Sequence, residues 1–244
     1  MRRRMMFLLV FILAAYLAAC ALLFFRQRSM LYFPQAFKGG AVLDLGGGAR
    51  VGVTLHEQPG PGAVIYFGGN AEAVPSTLSE LQAVFPGQAL YLMHYRGYGA
   101  TPGVPTEEGL FADALALYGH VRARHPQVTL VGRSLGSGIA TRLASVRTVE
   151  RLVLVTPYDS MASVAAHHYR WLPVRWMLRD RYDSARYAAS VKAPTVILAA
   201  GRDEVIPLAS SEALYRAFRP GLATFHLVPD AGHNDISLRQ LQRP

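Results

Sequence analysis

The sequence predicts an α/β domain built on a mostly parallel, doubly wound sheet, with one apolar helix ahead of it. Three observations carry this. From Ala63 onward, short branched strand-like runs alternate with longer helix-like runs, the pattern of a parallel sheet with crossover helices. The pentapeptide Gly132-Arg133-Ser134-Leu135-Gly136 stands between a strand-like run, Val128–Val131, and a helix-like run, Leu135–Val146. An unbroken apolar run from Met5 to Phe25 precedes the domain.

That run follows Arg2-Arg3-Arg4 and is closed by Arg26 and Arg28. About 20 apolar residues span a hydrocarbon core, whereas the apolar part of a cleavable signal has roughly 7–15. Residues 1–28 are therefore expected to be an uncleaved single-pass anchor, and residues 29–244 one α/β domain. A competing expectation reads Leu17-Ala18-Ala19-Cys20 as a bacterial lipobox with Cys20 lipidated. The apolar Ala21–Phe25 segment after the cysteine counts against it. The three N-terminal arginines favour a cytoplasmic N-terminus, with the domain extracytoplasmic and periplasmic in a bacterium; Arg26, Arg28 and Lys38 oppose that orientation.

The net charge of +9 is carried almost wholly by arginine, since Lys38 and Lys192 are the only lysines. The charges are scattered, not gathered in a stripe, which argues against a nucleic-acid partner. A single cysteine excludes an intrachain disulfide. No spacing of His, Cys, Asp and Glu suggests a metal site, and no cofactor is expected.

Within the domain, Ala41–Leu45 and Arg50–Glu57 flank Gly46-Gly47-Gly48 and read as an edge hairpin. Ala63–Phe67 is a strand, and Gly68-Gly69-Asn70-Ala71 its exit. The Gly-x-Ser-x-Gly turn between strand and helix is a nucleophile elbow. It holds a serine hydroxyl out of the sheet edge on a strained turn, and glycine at the flanking positions removes collisions. Such a serine needs a base and an acid to orient the base. Asp203 lies just past the strand Thr195–Ala199, and His233 in the loop after the strand Ala223–Val228. Asp159, after Leu152–Val155, is a rival acid whose ordinary role would be to cap the next helix. Two N–H donors for an oxyanion are expected on Leu135, at a helix N-terminus, and on Asn70, with Gly69 the alternative.

Of the other histidines, His120 and His125 are expected to end a helix begun near Thr106, where a cation suits the dipole. His94, at a strand end, is expected to be held by local hydrogen bonds. Residues 161–192 carry Tyr169, Trp171, Leu172, Trp176, Met177 and Leu178 among five arginines, and read as a small helical cap. These aromatics either line an acyl-chain groove or bilayer contact, or form the cap's own core.

Taken together, Leu31-Tyr32-Phe33-Pro34, Phe67–Ala71, Tyr95-Arg96-Gly97-Tyr98-Gly99, Gly132–Gly138, Thr156–Ser160, Asp203–Pro207 and Gly232-His233-Asn234 resemble the α/β-hydrolase superfamily. Within it they are most similar to small membrane-anchored abhydrolase-domain serine hydrolases. The resemblance implies the α/β-hydrolase fold and a Ser134–His233–Asp203 triad acting through an acyl-enzyme on an ester, thioester or amide. A lipid-like or acylated substrate leads, and a small soluble ester or peptide follows. An acyltransferase with the same triad, and a hydrolase-fold scaffold without catalysis, are the alternatives. The family usually has His-Gly-Asn in the oxyanion loop, where this chain has Gly68-Gly69-Asn70. That change removes a side chain that often braces the loop. The resemblance also gives Arg96 a structural role beneath the elbow.

Overall fold

The computed structural model describes residues 2–46 and 48–242. A long helix, α1 (Arg2–Leu31), leads into an eight-stranded sheet of order β1-β2-β4-β3-β5-β6-β7-β8. The strands are β1 (Ala41–Asp44), β2 (Arg50–His56), β3 (Gly62–Phe67), β4 (Ala89–His94), β5 (Gln127–Arg133), β6 (Arg151–Val155), β7 (Thr195–Ala200) and β8 (Ala223–Val228). β1 pairs antiparallel with β2, and β2 antiparallel with β4; every other pairing is parallel. The edge hairpin is present as read, with Ala41 opposite Val53 and Asp44 opposite Arg50. Gly47 of its expected turn lies outside the described residues.

Period-two alternation sends the strand side chains to two cores. Ala63, Ile65 and Phe67 of β3 face one side, where they meet α3 (Glu107–Arg122) and α4 (Leu135–Val146). Val64 and Tyr66 face the other, under α2 (Leu78–Val84) and the C-terminal 3-10 turn Leu238–Gln242. The central strands are buried on both faces, which is why they read as near-continuous apolar runs. Three short helices, α5 (Met161–His168), α6 (Val174–Met177) and α7 (Ser184–Ala188), fill the cap position between β6 and β7. α8 (Leu208–Ala217) connects β7 to β8.

β4 lies on one side of β3 and β5 on the other, so the winding reverses between β3 and β5. Ligand sites of doubly wound sheets open at the carboxyl ends of strands at such a reversal. Gly68, leaving β3, and Ser134, leaving β5, stand there.

α1 runs without a break to Leu31, and Leu31 and Tyr32 are buried, so the helix continues past the apolar run to the edge of the sheet domain. Two expectations are corrected. His125 does not end a helix. It is buried beyond α3, with Nδ1 2.9 Å from the Gly60 carbonyl and Nε2 3.3 Å from the Tyr91 hydroxyl. His120 does lie in the last turn of α3, but burial and the nearby Arg124 charge lower its pKa, so it favours the neutral form over a dipole-stabilised cation.

His94 closes the β2–β4 seam. Its Nε2 is 2.8 Å from Thr54 Oγ1, and Phe37 packs edge-on against the ring at 4.8 Å. Burial lowers its pKa to about 4, below the ordinary 6.5. The unfolded chain therefore takes up this proton first, and stability contributed by neutral His94 is lost as pH falls from about 6.5 to about 4. The full effect amounts to at most about 3 kcal/mol. Denaturant midpoints measured across this window should fall less steeply in His94→Gln than in the wild type; parallel slopes would rule out His94 as a contributor.

Candidate active site

Ser134 follows β5 directly and has φ 48° and ψ −118°, a conformation that costs a non-glycine residue about 1–3 kcal/mol. Its neighbours explain why the chain can hold it. A Cβ on Gly132 would meet the Gly136 carbonyl oxygen at 2.6 Å and Ser137 Cα at 2.7 Å. A Cβ on Gly136 would meet the Phe67 carbonyl oxygen at 2.1 Å. The second glycine is thus required less by the turn itself than by the end of β3, onto which α4 is pressed. The Gly136 N–H donates to the Gly68 carbonyl at 3.1 Å, and the Ser134 N–H to Val155 at 2.9 Å. Ser134 is the N-cap of α4 by position, yet its hydroxyl makes no capping bond.

That hydroxyl instead lies 2.9 Å from His233 Nε2. His233 Nδ1 is 2.8 Å from Asp203 Oδ2 and 3.0 Å from Oδ1. Asp203 Oδ1 also accepts the N–H groups of Val205 at 2.9 Å and Ile206 at 2.7 Å, which fixes the carboxylate after β7. The carboxylate is nearly buried, at 3% exposure, and the imidazole is 9% exposed. An acceptor at Nδ1 requires the N–H there, leaving the Nε2 lone pair for the serine hydroxyl. Hydroxyl, imidazole and carboxylate are therefore in line for proton transfer from the serine. A Cβ on Gly201 would meet the Pro229 carbonyl oxygen at 2.3 Å, so this glycine lets the β7 and β8 exits close on each other. Arg133, the variable residue of the elbow, donates to the Ile236 carbonyl at 2.7 Å and ties the histidine loop to β5.

The rival acid is elsewhere. Asp159 Oδ1 accepts the hydroxyls of Ser163 and Ser210, and the cap of α5 is Ser160, which accepts from the Ser163 N–H at 3.1 Å. Arg96 forms a two-pronged ion pair with Asp113 of α3 at 2.6 and 2.7 Å, a structural contact.

The Gly68–Ala71 segment, expected to carry an oxyanion donor, is braced by a residue that sequence reasoning passed over. The Glu72 carboxylate accepts from the Gly69 N–H at 2.8 Å, the Tyr66 hydroxyl at 2.8 Å and the Thr77 hydroxyl at 2.5 Å. Burial and this carboxylate hold the Tyr66 phenol far above its ordinary pKa, as a neutral donor. The room that a side chain at residue 68 would need is taken by Val74 and Glu72, at 2.5 and 3.0 Å from an added Cβ. The bracing function expected of a histidine thus passes to Glu72. From the other side, Tyr95 donates to the Gly68 carbonyl at 2.6 Å and Tyr98 to the Asn70 carbonyl at 2.5 Å. The Asn70 amide donates to Leu31 at the end of α1 at 3.0 Å, and Phe33 N–H to the Asn70 carbonyl at 3.2 Å.

With the Gly69 N–H committed to Glu72, the alternative second donor is already used. The N–H groups of Asn70 and Leu135 have no hydrogen-bond partner among the described residues. A cavity of about 590 Å³ opens on this group, lined by Gly69, Asn70, Ser134, Val205 and His233.

A strained serine at the reversal of a doubly wound sheet, facing an imidazole from the last strand's exit, defines a protein of the α/β-hydrolase class. The chain belongs to that family: the model for the alpha/beta hydrolase fold matches residues 62–193. It is 38% identical over 233 residues to an uncharacterized protein of Mycobacterium tuberculosis, a match covering 87% of this chain and 82% of the relative. A lysophosphatidylserine lipase, ABHD12 of Danio rerio, is 33% identical over 142 residues, covering 50% of this chain but only 37% of that lipase. Among solved structures, the fold matches the Pyrococcus furiosus esterase Pf2001 with a TM-score of 0.65 at 14% identity, over 86% of this chain and 92% of that one. It also matches a monoacylglycerol lipase of Paleococcus ferrophilus, with a TM-score of 0.59 at 17% identity, over 75% and 90%.

Replacing Glu72 with alanine leaves three donors without their acceptor, the buried Tyr66 hydroxyl among them. A stability loss of about 1–3 kcal/mol is expected, with faster hydrogen exchange at Gly69 and Asn70 than at the β5 amides. Unchanged exchange at these two amides would show that the carboxylate does not hold the loop.

Proposed function

We propose that the protein is a membrane-anchored serine hydrolase that cleaves an ester, thioester or amide, with a lipid-like or acylated compound as its leading substrate class. The observation that supports this most is the continuous hydrogen-bonded line from Ser134 Oγ through His233 to Asp203, at 2.9 and 2.8 Å. His233 takes the hydroxyl proton as Ser134 Oγ attacks the substrate carbonyl, forming a tetrahedral intermediate. The N–H groups of Leu135 and Asn70 receive the oxyanion, and the fixed Gly68–Ala71 loop spares reorganisation at that moment. His233 then returns the proton to the leaving group, giving an acyl-enzyme that water cleaves with the same imidazole as base. Asp203 stabilises the imidazolium throughout.

Residues 1–28 act as the anchor in this reading, and residues 29–244 as the catalytic domain, with residues 161–192 as its cap. The support is the 30-residue helix α1, which carries an apolar window of mean hydropathy 2.8. It passes unbroken through Cys20 and touches the cap on both sides of that residue, through Tyr16 and Gln27, which favours the uncleaved anchor over the lipidated form. The three N-terminal arginines support an extracytoplasmic domain, against the opposing Arg26, Arg28 and Lys38.

Labelling of the full chain by a fluorophosphonate is expected, and Ser134→Ala abolishes it. Asp203→Asn leaves the fold intact but lowers turnover about 10³–10⁴-fold, through the wrong imidazole tautomer. A folded wild type that resists the label would instead support a non-catalytic scaffold. With the label in place, competition between water and an alcohol acceptor separates hydrolysis from acyl transfer.

A further inference from the structure

The α1 helix does more than lead into the domain: its C-terminal half lies against the cap. Tyr16 donates to the Trp171 carbonyl at 2.9 Å, and Gln27 donates to Met177 at 3.2 Å and accepts from the Arg179 N–H at 2.7 Å. Arg28 pairs with Asp180 at 2.8 Å. Between these contacts runs an apolar groove of about 180 Å³, walled by Leu23, Phe24 and Met30 of α1 and by Met161, Ala165 and Met177 of the cap.

Its position is set by the anchor. Leu23 and Phe24 belong to the apolar run, so one end of the groove opens at hydrocarbon depth. The other end is at Leu31, whose carbonyl holds the Asn70 side chain of the oxyanion loop. On the cap side, His168 lines the groove and its Nε2 lies 2.8 Å from the carbonyl of Val205, a wall residue of the Ser134 cavity. Groove and serine cavity are therefore neighbours, separated by one pair of bonded wall residues at each of these two points.

The cap is built to enter the bilayer at this level. Trp176 is 91% exposed and Trp171 61% exposed, so these rings do not form the cap's own core, and in water they would be a costly surface. Tyr16 lies near the middle of the apolar run, and its bond to Trp171 brings this part of the cap alongside that run. Arg179 stacks over the Phe24 ring at 4.4 Å, where the groove wall meets the interface, and offers a cation to a lipid phosphate.

We propose that the α1–cap groove binds one acyl chain of a bilayer lipid and leads its ester laterally from the membrane toward Ser134. The inference rests on α1 as a membrane span and deepens the hydrolase reading by naming the substrate's route. The experiment uses the full-length Ser134→Ala protein in vesicles of phosphatidylcholine bearing a diazirine at the end of one acyl chain. Photolysis is expected to give adducts at Met30, Met161, Ala165 or Met177, as well as on the outward Phe7 and Phe11, which are exposed to lipid in any case. Filling the groove from either wall, with Ala165→Trp or with Leu23→Trp on the anchor, should lower the groove adducts at least fivefold relative to those on Phe7 and Phe11. Groove adducts absent from the parent protein, or unchanged in both tryptophan variants, would overturn the proposal. No turnover is needed for this readout. A wild type that takes no fluorophosphonate yet gives groove adducts would sink the hydrolase reading alone, and one that labels at Ser134 without groove adducts would sink the groove alone.

Discussion

The site depends on one steric constraint: the backbone of Ser134 is held at positive φ because α4 is pressed against the end of β3. Gly136 sits so close to Phe67 that a methyl group there would overlap its carbonyl. This contact joins the two strands on either side of the winding reversal. It aims the serine hydroxyl away from the sheet and sets the distance between the elbow and the Gly68–Ala71 loop. The conformational cost at Ser134 is met by the buried sheet around it, in which Val131, Val153, Val155 and Leu198 are at most 1% exposed. A looser core would let the turn relax, and the alignment with His233 would go with it.

Around that turn, each functional group is held by polar contacts of its own. Two backbone N–H groups and an imidazole hold Asp203, while Arg133 ties the histidine loop back to β5. Glu72 from one side and Tyr95 and Tyr98 from the other hold the loop bearing Asn70. In the hydrolase reading proposed above, these contacts would fix the groups before a substrate arrives, the condition under which aligned dipoles act most strongly on a developing charge.

Much of this was legible in the sequence because it is encoded locally. The helix Leu135–Val146 and the strand Ala223–Val228 have the limits that their residue patterns indicate, and the edge hairpin was signalled by its glycines. Ser134, Asp203 and His233 could be singled out because each sits in a turn immediately after an apolar strand, and turns of that kind in a parallel sheet converge at one edge. What could not be read depends on distant partners. Glu72 is the lone acid between Glu57 and Glu80, in a loop without periodicity, and its role follows only from Tyr66 and Thr77 folding over it. His125 looked like a helix-end cation because nothing local reveals its contacts with Gly60 and Tyr91. Helix α1 has no local stop signal at residue 28, and its continuation is sustained by the burial of Leu31 and Tyr32. Within the segment 161–192, Leu172 is buried while Trp171 and Trp176 are exposed, a division that the residue pattern does not carry.

The direct bond between the last turn of α1 and Asn70 has a geometric consequence. Leu31 is six residues beyond Phe25, a rise of about 9 Å along a straight helix. If the apolar run is seated in a bilayer, as in the reading proposed above, that short rigid strut turns the protein into a ruler. The Ser134 hydroxyl would then keep a set height over the hydrocarbon boundary, and substrates of the proposed hydrolase would be sorted by how far their cleavable bond stands out of the membrane before any pocket contact discriminates among them.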